Sequence, residues 1–260
     1  DTKNLVGEFT WDTSLTFSKT NSFWKERLPN YDYQIYQQRE NEPMSAYYYY
    51  NVTGIINTDR SNMPESQKTL QAEAQLPGCP IIEDKNKDGK IDEDDVYMKD
   101  NSPAIYVGIG NTFTYKRFEF SFFMYGQFGI QKYNIAYSAA QAGPLAVDYP
   151  ENSNKFAYRL WNSQTNPNGS RPGLAIGKMG ALPGNAWVNA DRENASFMRM
   201  RNITLAYNLA GNILGSLQRY VRNIKVYVDA QNPFILTKFQ GFDPEIYTGG
   251  GGASGGPEVN

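Results

Sequence analysis

Histidine does not occur anywhere in the 260 residues. Its absence excludes Ser-His-Asp and Cys-His catalysis, HExxH zinc hydrolysis and imidazole proton relays within this chain. Cysteine occurs once, at Cys79, so neither an internal disulfide nor a Cys-rich zinc site can form. Charge of one sign is also missing. Twenty-five Lys and Arg stand against 27 Asp and Glu, a net of -2, which gives no basic field to draw in nucleic acid as a partner. Mean hydropathy is -0.60, and no run approaches the roughly 20 apolar residues that a membrane-spanning helix needs. The opening DTKNLVGEFTW carries no basic stretch followed by an apolar one, so no signal peptide is expected in it.

What is abundant is aromatic: nineteen Tyr and fourteen Phe contribute to 14% aromatic content. These rings recur at period two. From Glu8 to Ser18, Phe9, Trp11, Leu15 and Phe17 fall on one face with Thr13, and polar residues fall on the other. Ile105 to Tyr115 repeats the alternation. Phe118, Phe120, Phe122, Met124 and Phe128 continue it against Arg117, Glu119, Ser121, Tyr125 and Gln127, so the two read as a hairpin turning at Lys116-Arg117. Two later strands are expected over 196–209 and 223–232. A barrel strand needs only every second residue apolar, and a polar average is compatible with that. Residues 58–103 and 131–195 are long, rich in Gly, Pro, Asn and Asp, and fall at the same end of their strands. Short turns at one rim and long loops at the other suit an outer-membrane barrel; a soluble sandwich also alternates and is the alternative. Six or seven strands fall below the eight of the smallest single-chain barrels, so a fragment is expected.

The sharpest local motif is DKNKDGKIDEDD, residues 84–95. Asp84, Asn86, Asp88, the Lys90 carbonyl, Asp92 and Asp95 occupy positions 1, 3, 5, 7, 9 and 12 of an EF-hand-type loop, with Gly89 at the sharp turn. Calcium wants several hard oxygens at roughly 2.3 to 2.6 Å, and these carboxylates would repel one another without a cation. A structural calcium ion is expected, in a loop with few apolar residues to pack it. Asp95 stands where Glu is usual, and Pro77 and Pro80 argue against a two-helix sensor. Tyr47 to Tyr50, opening a strand through Ile56, are expected to pack two rings on each face. Arg199 and Arg201 are expected in salt bridges at the rim. The glycine-rich tract 248–256 is expected to be a flexible loop.

The succession EFTWDTSLTFSKT, VTGIINT, DKNKDGKIDEDD, NTFTYKRFEFSFFMYGQFG, SFMRMRNITLAYNLAG and IKVYVDAQNPFILTKFQGFDPE resembles the C-terminal barrel region of SusC/RagA-type TonB-dependent outer-membrane transporters. The resemblance implies an all-β fold: an antiparallel transmembrane β-barrel fragment, the C-terminal strands of a barrel of roughly 22, with long extracellular loops. Residues 1–260 would belong to that barrel domain, without the plug, the N-terminal strands or the final strand, and 84–95 would sit in an extracellular loop. It further implies a Bacteroidetes-type outer membrane, contact with its lipid, a SusD-like surface lipoprotein as partner, and TonB acting through an N-terminal region outside these residues. The function implied is gated import of a glycan or peptide substrate rather than catalysis. A soluble calcium-stabilised β-sandwich binding carbohydrate at a cell surface is the alternative. An enzyme comes third, because no pair of carboxylates stands out.

Overall fold

The computed structural model describes residues 1–26, 41–102, 105–134, 158–173, 182–185, 187–190, 192–210, 215, 219–221 and 223–246. Thirteen strands occur among them: β1 (Thr2–Leu5), β2 (Phe9–Ser18), β3 (Ala46–Tyr50), β4 (Val52–Ile55), β5 (Pro80–Ile82), β6 (Tyr97–Asp100), β7 (Ile105–Tyr115), β8 (Phe118–Phe128), β9 (Gln131–Tyr133), β10 (Trp187–Val188), β11 (Arg192–Asn194), β12 (Phe197–Ala210) and β13 (Asn223–Thr237). The described helical pieces are all short 3-10 turns, so the described residues form an all-β fold. The chain divides into two compact units.

The first unit comprises Asp1–Thr20, Ser102–Ile130 and Asn194–Phe239 and is built on one six-stranded sheet, ordered β1-β2-β7-β8-β12-β13. Every neighbouring pair is antiparallel. The β7–β8 hairpin closes where expected. Tyr115 pairs with Phe118 across Lys116-Arg117, and Lys116 adopts φ 55, the left-handed backbone a two-residue turn demands. Register aligns Ser18 with Tyr106, Ile105 with Phe128, Phe197 with Gln127 and Thr237 with Phe197. The long chain segments therefore all leave the sheet from one edge, as the loop lengths predict. The last strand runs on to Thr237, past the expected end at 232, because a bulge accommodates Pro233. Asn202 pairs with Gln231 and Met200 with Phe234, so Asn232, at φ 47, and Pro233 together face Arg201, and the missing proline N–H interrupts no regular ladder.

The second unit comprises Asn21–Asn101, Gln131–Glu193 and Gln240–Asn260 and corrects two expectations. Segments read as loops here form a fold with a core of their own: Tyr50, Leu70, Ala74, Ile82, Ile91, Val96 and Leu182 cluster out of solvent, and Ile56, Cys79 and Ile81 form a second cluster. Sparse apolar residues suffice because small sheets, β10-β3-β6, β4-β5 and β9-β11, bring distant ones together. The tyrosine strand is also not continuous. It breaks at Asn51 into β3 and β4, which pair with different partners, β6 and β5. Its packing role holds: Tyr50 is fully buried, and Tyr47, Tyr49 and Tyr97 stack at 5.3 and 5.7 Å. Burial pushes the Cys79 thiol up, which suits a thiol used as a small apolar group. The tract 248–256 lies outside the described residues.

Candidate functional site

The main sheet has two chemically distinct faces, and strand parity places every side chain on one of them. Register puts Phe9, Trp11, Leu15 and Phe17 of β2 in line with Tyr115, Phe113, Ile109 and Val107 of β7, then with Phe118, Phe120, Met124 and Gly126 of β8. β12 and β13 extend the face with Leu205, Tyr207, Val226 and Val228. Rings run across it, Trp11 on Phe113 at 5.9 Å and Phe113 on Phe120 at 6.1 Å. This face is not a closed core, since Leu15 is 64% and Val228 73% exposed. So much exposed apolar surface on one face calls for a cover, which either lipid or a second apolar layer would supply.

Two residues interrupt the apolar face, and the structure brings them together. Thr13 pairs with Asn111, and the Asn111 Oδ1 accepts both the Thr13 hydroxyl and the Trp11 indole N–H, each at 2.8 Å. Sequence reading noted Thr13 and passed over Asn111; only the register between strands about a hundred residues apart could reveal the match. The opposite face carries Asp12, Ser14, Thr112, Glu119, Ser121, Thr204, Lys225 and Asp229. There Lys225 Nζ reaches Glu119 Oε1 at 2.9 Å and Thr204 Oγ1 donates to Asp229 at 2.6 Å. Phe123, also missed, lies on this polar face over Gly110 and Gly108, where a Cβ on either would come within 3.6 or 3.4 Å of its ring. Arg201, like Arg199 expected in a rim salt bridge, has a contact with an aromatic ring and one with an amide. Its guanidinium lies 4.7 Å from the Tyr125 ring centre and reaches Asn232 Oδ1 at 3.3 Å.

The predicted calcium loop is ordered through its own amides. Asp84 Oδ1 and Asn86 Oδ1 both accept the Asp88 N–H, at 3.2 and 3.1 Å; Asp84 Oδ2 accepts the Gly89 N–H at 2.9 Å, and Asp88 Oδ1 accepts that of Lys90 at 3.1 Å. Three of the predicted oxygen donors are thus folded over one turn, with Gly89 at φ 87 where a sharp reversal is required. Asp95 is fully buried, its two oxygens taken by the N–H groups of Lys85 at 2.8 Å and Asp92 at 2.9 Å. Asp92 caps the short 3-10 turn that follows, and its side chain is paired with the Lys90 ammonium. That ammonium, with the Asp94 amide, holds the Asp92 carboxyl below the usual range. Among the described residues no three acidic or cysteine side chains converge as metal ligands would. The expectation of a poorly packed loop is corrected: Ile91 and Val96 anchor it in the core.

An antiparallel sheet with one exposed apolar face and one polar face, all its long connections at one edge, is compatible with a barrel wall, and the fold matches TonB-dependent transporter structures. Particular relatives fill in that class. The chain is 26% identical over 259 residues to the TonB-dependent receptor P3 of Formosa agariphila, a match covering 94% of this chain and 24% of that receptor. It is 31% identical over 170 residues to the TonB-dependent receptor SusC of Bacteroides thetaiotaomicron, covering 64% of this chain and 15% of SusC. Among solved structures it matches the RagAB peptide importer in its "closed-closed" state with a TM-score of 0.60 at 17% identity, over 92% of this chain and 25% of that one. A second RagAB peptide transporter structure matches with a TM-score of 0.60 at 20% identity, over 91% and 24%. No protein-family model matches the chain. In sequence and fold the chain is similar to SusC/RagA-type TonB-dependent receptors, and it spans about a quarter of the length of the receptor P3, 24%.

Proposed function

We propose that this chain is the C-terminal part of the barrel of a TonB-dependent transporter in the outer membrane of a Bacteroidetes-type bacterium. It would import a nutrient, a glycan or a peptide, together with a SusD-like surface lipoprotein, with TonB acting through a plug outside these residues. The observation that carries the reading is the exposed apolar face backed by a polar one on β2, β7, β8, β12 and β13 of the same sheet. Phe113, Phe120 and Leu205 would meet lipid; Ser121, Thr204 and Asp229 would line the lumen. No step requires bond chemistry in this chain. The test substitutes adjacent residues on opposite faces. Phe120→Arg should cost about 2 to 4 kcal/mol of barrel stability if it lies near the bilayer midplane, and Ser121→Arg far less. Equal damage from both, measured by unfolding in lipid, would indicate a core on each side of the sheet and return the soluble sandwich.

We further propose that residues 84–95 take up one structural calcium ion. Asp84, Asn86, Asp88, the Lys90 carbonyl, Asp92 and Asp95 would supply oxygens; the ion would displace the Lys90 ammonium from Asp92, and Asp95 would have to turn an oxygen out from the amides of Lys85 and Asp92 that hold it. The turn that already gathers the oxygens of Asp84, Asn86 and Asp88 supports this. Asp88→Ala should abolish calcium uptake in titration calorimetry and speed proteolysis within 84–95 while leaving the sheet folded. A wild-type chain that takes up no calcium at millimolar concentration overturns it.

A further inference from the structure

Within the second unit lies an open groove of about 640 Å³, lined by β4, by the segment from Trp161 to Pro172, and by Asn189 and Arg192. Its aromatic wall is held rigidly. The Trp161 N–H donates to the Arg171 carbonyl and the Gly173 N–H to that of Gly78, both at 2.8 Å. Gly78, at φ 87, approaches the indole so closely that a Cβ there would come 2.6 Å from Trp161 Cε3. Asn62 and Asn189 also line it: Asn62 Nδ2 donates to the Ile55 carbonyl at 2.7 Å, and Asn189 Oδ1 accepts the Val52 N–H at 3.0 Å.

Among the described residues no Asp or Glu lines this groove, yet two arginines do. Arg171 is bridged to Glu193 at 2.9 Å, so its charge is already met. Arg192 instead lies over the Tyr47 ring, 3.6 Å from its centre, and among the described residues no carboxylate pairs with it. Burial pulls its guanidinium below the usual arginine range, against the opposing contact with the Tyr47 side chain. A concavity lined by a guanidinium draws anionic ligands.

We propose that this groove is a binding site for a carboxylate-bearing ligand, with Arg192 meeting the carboxylate as a charge-assisted donor and the Trp161 indole packing against the ligand body. The proposal deepens the import reading and rests on it. A uronic-acid sugar and the C-terminus of a peptide offer the same chemistry. The full receptor in detergent is titrated with a galacturonic acid trisaccharide and its carboxyl-reduced form, and with a tripeptide having a free or an amidated C-terminus. One of the two acids should bind about tenfold tighter than its neutral counterpart, and which one identifies the source. Arg192→Gln should erase that preference. Asn168→Asp places a carboxylate on an exposed lining position that carries no fold, and should weaken the acid severalfold while sparing the neutral form. Equal affinity for acid and neutral forms, no binding of either acid at millimolar concentration, or a preference that survives both substitutions overturns the site. Cellular uptake separates the two readings. Acid-selective binding without uptake leaves the groove standing and sinks import; uptake indifferent to both substitutions does the reverse.

Discussion

Asn111 shows how one polar residue survives on an apolar wall. Its carbonyl oxygen collects the Thr13 hydroxyl and the Trp11 indole N–H, and Asn4 adds a bond to the Thr13 hydroxyl at 2.7 Å. A buried or lipid-facing donor without an acceptor loses far more than a bonded one gains, so the group stands or falls together. Asn111→Leu should therefore destabilise the sheet by about 1 to 3 kcal/mol although it adds apolar surface. Thr13→Val combined with Asn111→Leu should cost less than the two single changes summed, measurable as a coupling energy in urea unfolding. Strict additivity would show Thr13 and Asn111 to be independent. The same scale explains the misses. Phe123 alternates onto the polar face, where pattern reading expects a hydrophilic residue, because Gly108 and Gly110 leave the backbone of β7 open beneath its ring.

Among the elements, the β7–β8 hairpin is the one most nearly dictated by local sequence. Its eleven paired positions run without a register shift, and its two-residue turn falls where the alternation requires. The cost sits at Lys116, whose φ of 55 a β-branched side chain tolerates poorly. Lys116→Val should lower hairpin stability by about 1 to 2 kcal/mol, whereas Lys116→Gly should be neutral or stabilising, in thermal or denaturant unfolding. If both substitutions behave alike, the turn backbone is not the constraint. The β12–β13 pair behaves differently, since its bulge at Arg201, Asn232 and Pro233 re-aims side chains that simple alternation would misplace. The acidic loop is intermediate: its turn chemistry is legible in Asp, Asn and Gly spacing, but the burial of Asp95 is not, because that depends on the amides of Lys85 and Asp92 meeting across it.

At the scale of the whole molecule, the direction of the connections carries a prediction. If the edge holding Ser18, Ile105, Phe128, Phe197 and Thr237 faces outward from the cell, protease added to intact cells should cut within 58–103 or 131–195 and spare the Lys116-Arg117 turn and the 210–222 link. Cutting confined to Lys116-Arg117 would invert the topology. The amino-acid sequence by itself determined the two-faced strands, the hairpin and the edge from which long segments leave, because period-two alternation and turn residues are local properties; the resemblance to TonB-dependent receptors rests on particular segments such as SFMRMRNITLAY and not on that alternation. Only the tertiary structure decided that those long segments build a unit with its own core. Ile91, Val96, Leu70, Tyr50 and Leu182 are spread over more than a hundred positions, and no local period marks them as neighbours. The pairing of Asn111 with Thr13 and the stacking of Arg192 on Tyr47 were likewise hidden. Each depends on which strands lie side by side, a choice made by the summed burial and hydrogen bonding of whole elements rather than by any residue's immediate neighbours.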